Sequence, residues 1–153
     1  MASGSHLTED NYIEKINSYT ESDWKPLIDL IPSIENTEEF GKWSGGEKDK
    51  DGVFSMPYID LCETADEFLK LVYNIPIIIS YDWGSWDEGR RIAGDAYFDF
   101  DTIDIPVKCK IITAIVRNDR YCEGALVSAF ESGLILKILK SVERGFRNTT
   151  IQE

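Results

Sequence analysis

Apolar positions in "TEDNYIEKINSYTESDWKPLIDLIPSI" recur at helical spacing, Tyr12, Ile13 and Ile16 forming one set and Trp24, Leu27, Ile28 and Ile31 another. Each set falls on one face of a helix, so the segment predicts two short helices, with Ser22 able to cap the second and Pro32 near its end. "TEEFGKW" predicts a further helical turn before "SGGEKDKDG", whose glycines and dense charge mark an exposed loop. After it, "VFSMPYIDL" is the best extended segment, although Pro57 lacks the amide hydrogen a central strand needs and limits it to an edge.

Two capping boxes follow, "TADE" with Thr64 and Glu67, and "SWDE" with Ser85 and Glu88. In each, the hydroxyl can accept from the amide three residues on while the glutamate reaches back, so each marks a helix start. The β-branched "IPIIISYDW" between them reads as a buried extended piece or short strand. In "IPVKCKIITAIVR", Lys110, Thr113 and Arg117 make one polar stripe on an otherwise apolar circumference, which predicts the central core helix, entered through Asp104 and Pro106. "GALVSAFESGLILKILKSVERGF" then predicts one broken helix or two consecutive helices ending near Gly145. The small residues Gly124, Ser128 and Ser132, and beside them Ala125, Ala129 and Gly133, form two rows of four-residue spacing, a flat stripe that another helix can approach closely. Tyr121 and Phe130 would plug the core at the two ends of that short helix, with Gly133 as its break.

The expectation is a mainly α protein: a single compact helical domain of about six or seven helices with a small two-stranded β element, the alternative being α+β. Residues 1–6 read as a cloning remnant or disordered leader, 7–147 as the single globular domain and 148–153 as a flexible tail. With 153 residues, 42% apolar and 29% charged, the chain has enough apolar mass for one core. No run approaches the roughly 18 apolar residues a membrane helix needs, and no membrane association is expected. The formal charge of −12 disfavours nucleic acid, because the long-range field repels polyanions. That charge is uneven: residues 1–106 hold 8 basic and 23 acidic side chains, residues 107–153 hold 8 and 5.

Candidate chemistry is thin. The single histidine, His6, lies in the leader, which removes the usual base and metal ligand. Cys62, Cys109 and Cys122 have neither disulfide nor zinc spacing and point to a reducing cytoplasm. Cys122 in "RNDRYCEG" is the obvious nucleophile, but Arg117 and Arg120 cannot shuttle its proton; it reads as filler at a helix corner, with Arg120 and Glu123 pairing across the turn. Asp99, Asp101 and Asp104 in "FDFDTID" offer hard oxygen ligands for a metal-dependent phosphoester hydrolase, or else a solvated loop leading into a capped helix. "EKDKDGVFSMPY" imitates a calcium loop from Glu47 to Ser55 but has Tyr58 where the bidentate glutamate belongs, so a D-G turn in a hairpin or a mobile loop is preferred. "SYDWGSWDEGRR" concentrates Trp83 and Trp86 with Asp82, Asp87 and Glu88, a set that can bind a peptide, sugar or cation. Lys137, Lys140, Arg144 and Arg147 give the last helix a basic face for an anionic partner, or simply a solvated one.

The segments "YDWGSWDEG" and "TAIVRNDRYCEGALVSAFESGLILKILKSV" resemble a small bacterial family defined only as a domain of unknown function. Its pattern is D-W-x-x-W-x-x-G followed by R-x-D-R-[FY]-x-[DE]-G and a terminal helix, matched over roughly residues 55–143. The resemblance implies a bacterial, cytoplasmic protein and carries over no activity, cofactor or catalytic residue.

The functional expectation is therefore a non-catalytic protein-interaction module with an acidic surface. Its binding patch comprises Asp82, Trp83, Trp86, Asp87, Arg120 and Glu123, a tryptophan anchoring an unidentified protein partner and carboxylates steering it. No cofactor, metal or catalytic set is assigned. A metal-dependent hydrolase and nucleic-acid binding through the last helix are the alternatives, and the oligomeric state stays open, a homodimer included.

Overall fold

The computed structural model describes residues 8–79, 81–119 and 124–152. Three short helices open the chain: α1 (Glu9–Asn17), α2 (Glu21–Ile28) and α3 (Ile31–Asn36). Thr8 and Asn11 form the capping box of α1. Thr20, not Ser22, begins α2, its amide and hydroxyl both donating to the Asp23 carboxylate. Pro32 does not end that helix. It sits in the first turn of α3, where its missing N–H has no intrahelical partner to lose.

The helical turn expected in "TEEFGKW" is not formed: β1 (Gly41–Ser44) pairs antiparallel with β2 (Tyr58–Leu61), Trp43 opposite Ile59. Helical spacing in so short a window is weak, and the hairpin's cross-strand bonds outweigh it. The "EKDKDG" tip is the turn preferred from sequence, with Gly52 at φ 82° and Lys48 bridged to Phe54. The Cys62 amide donates to the Phe40 carbonyl at 2.8 Å, so the hairpin ladder hands the chain straight into α4 (Glu63–Asn74). Cys62 is thereby fixed as the cap, its Sγ accepting from the Ala65 amide. Thr64, expected to cap, already lies inside the helix and accepts from the Thr37 hydroxyl. The second expected box fails for a similar reason: Trp83–Ser85 is a 3-10 turn, and α5 (Asp87–Ala93) starts beyond Ser85.

Of the segment expected to be a buried extended piece or short strand, residues 77–79 are buried and belong to no strand. The Ile79 amide donates to Thr113 Oγ1 at 3.0 Å, while the Thr113 hydroxyl donates to the Cys109 carbonyl at 2.8 Å. Thr113 is fully buried on α6 (Ile105–Asn118), which corrects the expected polar stripe. A hydroxyl bonded to main chain is admitted to the core because its polarity is matched there. Asp104 does cap α6, accepting from the Val107 amide. Around this helix pack α1, α5, α7 (Ala125–Glu131) and α8 (Leu134–Gln152), the last also covering α2 and α3. α8 continues past Gly145 to Gln152. Its Ile135, Ile138, Leu139 and Val142 are fully buried, each contributing about 1.5–3 kcal/mol of transfer free energy. Phe130 plugs the core as expected, stacked on Phe40 at 4.8 Å and edge-on to Phe68 at 5.2 Å. The protein is mainly α with one two-stranded antiparallel sheet, and none of its described helices is long and apolar enough to cross a membrane.

Candidate functional site

Gly89 lies buried in the middle of α5 with ordinary helical backbone, so conformation does not explain it. Packing does: a methyl group there would overlap the six-membered ring of Trp86. The indole is thus laid flat on its own helix. Behind it, Tyr81 meets Trp86 edge to face with centroids 5.8 Å apart. Lys110 Nζ stands 4.8 Å from the Tyr81 ring and 5.2 Å from the Trp86 ring, with Glu9 at 2.8 Å. The Tyr81 hydroxyl donates to the Lys110 carbonyl at 2.7 Å; burial, with Glu9 nearby, pushes its phenol well above the ordinary range. Trp86 is therefore held from two sides by aromatic and cationic contact. The 3-10 turn bearing Trp83 is tied to α5 by the Arg90 guanidinium, which donates to the Gly84 carbonyl and pairs with Asp87 at 3.6 Å.

Trp83, Trp86, Gly89, Arg90 and Ala93 form one wall of a concavity of about 260 Å³, and Ile111, Ala114, Ile115 and Asn118 of α6 form the other. Ala93, Ile115 and Asn118 also bound a second concavity of about 270 Å³, floored by Ala125, Ser128, Ala129 and Ser132 of α7. A third, of about 130 Å³, continues past Ser132 and Leu134 to Phe100 and Lys137. Together they make one groove across α5, α6 and α7. The small-residue stripe, expected to let another helix approach closely, is split: Ala129 is buried, while Ser128 and Ser132 are exposed on the groove floor. Gly133 (φ 85°) is the break expected after α7, and like Gly124 (φ 99°) at the other end it occupies left-handed backbone; no atom lies within 4 Å of where a Gly133 Cβ would stand. Asp119 escaped the sequence reading: its carboxylate accepts from the Gly124 and Leu126 amides at 3.2 and 3.0 Å and caps α7 from across the junction.

The proposed patch is only partly gathered here. Trp83 and Trp86 line the groove, while Asp82 and Asp87 are exposed and lie outside its lining. Arg120, Tyr121, Cys122 and Glu123 lie outside the described residues, and with them the nucleophile and the cross-turn pair. The three aspartates of "FDFDTID" have separate partners. Asp99 caps a 3-10 turn at Phe100–Thr102 and Asp104 caps α6. Asp101 accepts two hydrogen bonds from Arg144, at 3.0 and 3.1 Å, and one from the buried Ser141 hydroxyl at 2.6 Å, which together hold its carboxyl below the usual range. Beside them Lys108 is 5% exposed, and burial lowers its ammonium's pKa despite the nearby Asp101. Asp49 of the calcium-like loop receives the Asp51 and Val53 amides, both at 2.9 Å. Among the described residues no group of three His, Cys, Asp or Glu side chains is placed to hold a metal ion. Cys109 is buried, and burial raises its thiol far above the ordinary value, which keeps it un-ionised. The basic face of α8 is largely engaged internally: Lys140 pairs with Glu35, Arg144 with Asp101 and Arg147 with Glu143, and Lys137 donates to the Ala96 carbonyl.

These features define a small, mainly α-helical domain with a projecting hairpin and an aromatic-walled groove. The chain belongs to a family of unknown function, DUF6508, whose model matches residues 19–148. That span takes in α2 through the main part of α8 and the whole groove. No curated protein and no solved structure matches the chain.

Proposed function

We propose that this chain is a non-catalytic interaction module of the bacterial cytoplasm, and that the groove across α5, α6 and α7 receives an amphipathic helical segment of a partner protein. One observation carries the reading: the tryptophan wall and the small-residue floor belong to a single groove, because neighbouring concavities share Ala93, Ile115 and Asn118. Small residues on the floor admit close approach of a helix, and an indole held rigid from behind gives up little side-chain entropy on contact. The three concavities follow one another across α5, α6 and α7 through shared residues, a long and open shape that favours an elongated segment. The cytoplasmic setting is supported by Cys62 and Cys109, both free thiols.

A photo-crosslinking residue at Asn118, introduced into the full chain in its native host, should give a discrete protein adduct. Gly89→Ala, which displaces the Trp86 ring, and Ala93→Trp, which obstructs the groove, should each remove the adduct while leaving far-UV circular dichroism unchanged. Adducts that survive both folded variants, or that form equally from a crosslinker at the exposed Lys15, would reject the groove as the docking surface.

A further inference from the structure

Every residue from Glu47 to Tyr58 is exposed, although this hairpin end carries some of the largest apolar side chains in the protein. Trp43, Val53, Phe54, Met56 and Tyr58 are each between 47% and 75% exposed, a degree that among the other large hydrophobics of the described residues is reached by Tyr97. The base of the hairpin is seated: a Cβ on Gly41 would meet Val127 of α7, and Gly124 lies under Trp43 and Ile59. Its outer half is not. A two-stranded hairpin is marginal in water without a covering layer, and clustered exposed apolar side chains on a folded domain mark a contact surface.

Charge says what covers it. Residues 41–61 hold three lysines (Lys42, Lys48, Lys50) against Glu47, Asp49, Asp51 and Asp60, nearly neutral in a chain of −12. This is therefore a place where a second identical chain meets little of its own repulsion. The tip also alternates in sign through Glu47, Lys48, Asp49, Lys50 and Asp51. Around a two-fold axis, residue i faces j and j faces i, so the four residues Glu47 to Lys50, placed antiparallel with the axis between Lys48 and Asp49, set Glu47 opposite Lys50 and Lys48 opposite Asp49. A partner carrying one sign of charge would match only half of it. We propose that two copies of this chain associate hairpin to hairpin about a two-fold axis, covering Trp43, Phe54, Met56 and Tyr58 and pairing the alternating charges of the tips. None of these residues lines the groove, so the dimer and the docking reading stand or fall separately.

Sedimentation equilibrium of the full chain from about 1 to about 300 μM, a range that brackets weak association, should show the mass rising from 17.4 kDa toward twice that value. The exposed double variant Phe54→Asp/Met56→Asp should remain at the monomer mass with an unchanged thermal melt. Lys50→Glu and Glu47→Lys should each be monomeric alone and dimeric when mixed. A wild-type chain that is monomeric throughout, a dimer that survives Phe54→Asp/Met56→Asp, or mixed charge variants that stay monomeric would overturn the proposal.

Discussion

Asp101 gathers a guanidinium, a buried hydroxyl and a nearby buried ammonium around one half-exposed carboxylate. The ion pair is half in solvent, so its own contribution is only about 0–1 kcal/mol, but it anchors the turn at Phe100–Thr102 to α8. Hydrogen bonds from Arg144, then Ser141, lower its folded-state pKa. The stabilisation is therefore present in full above the unfolded carboxylate value of about 3.9 and disappears as pH falls through the lower folded value. Asp101→Asn should lower the melting temperature at neutral pH and show a smaller further loss than wild type between about pH 5 and about pH 2. Parallel acid melts check it; equal slopes would mean the carboxylate's charge does no stabilising work.

The ends of α7 set the groove floor. Gly133 follows the cap residue Ser132, its amide donating to the Phe130 carbonyl at 3.1 Å, with φ at 85°. Space is open at the Cβ position, so the penalty of a side chain is conformational and not steric against the core. Gly133→Ala should cost about 1–2 kcal/mol and Gly133→Asn distinctly less, because Asn tolerates left-handed backbone. Urea melts distinguish the two. Equal penalties would shift the cause to lost packing. The same scale explains the failed caps. Cys62 displaced Thr64 because the last hairpin bond fixes where α4 must start, and a four-residue capping pattern carries no information about that bond.

For the whole molecule, the formal charge of −12 opposes the compact state by self-repulsion. Its exposed ion pairs, such as Lys25 with Asp29 and Lys70 with Asp66, each contribute little that salt can remove. Screening of the net repulsion should dominate, so raising sodium chloride from about 10 to about 150 mM, where the Debye length falls from about 30 to about 8 Å, should raise the melting temperature. A melting temperature that falls instead would place more stability in ion pairs than the exposed geometry supports.

What the sequence determined by itself was local or compositional: the amphipathic helices, the capped entry to α6 at Asp104, the D-G turn and the glycine break after α7. Each depends on residues a few positions apart, where side-chain periodicity and backbone preference act directly. Tertiary structure decided the rest. It paired "GKWS" with "YIDL", admitted Thr113 to the core because the Ile79 amide donates to it, sent three neighbouring aspartates to three separate partners, and left Ser128 and Ser132 of the small-residue stripe open on a groove floor. Those outcomes depend on which distant group lies within hydrogen-bond or van der Waals reach, and that distance exists only once the chain is folded.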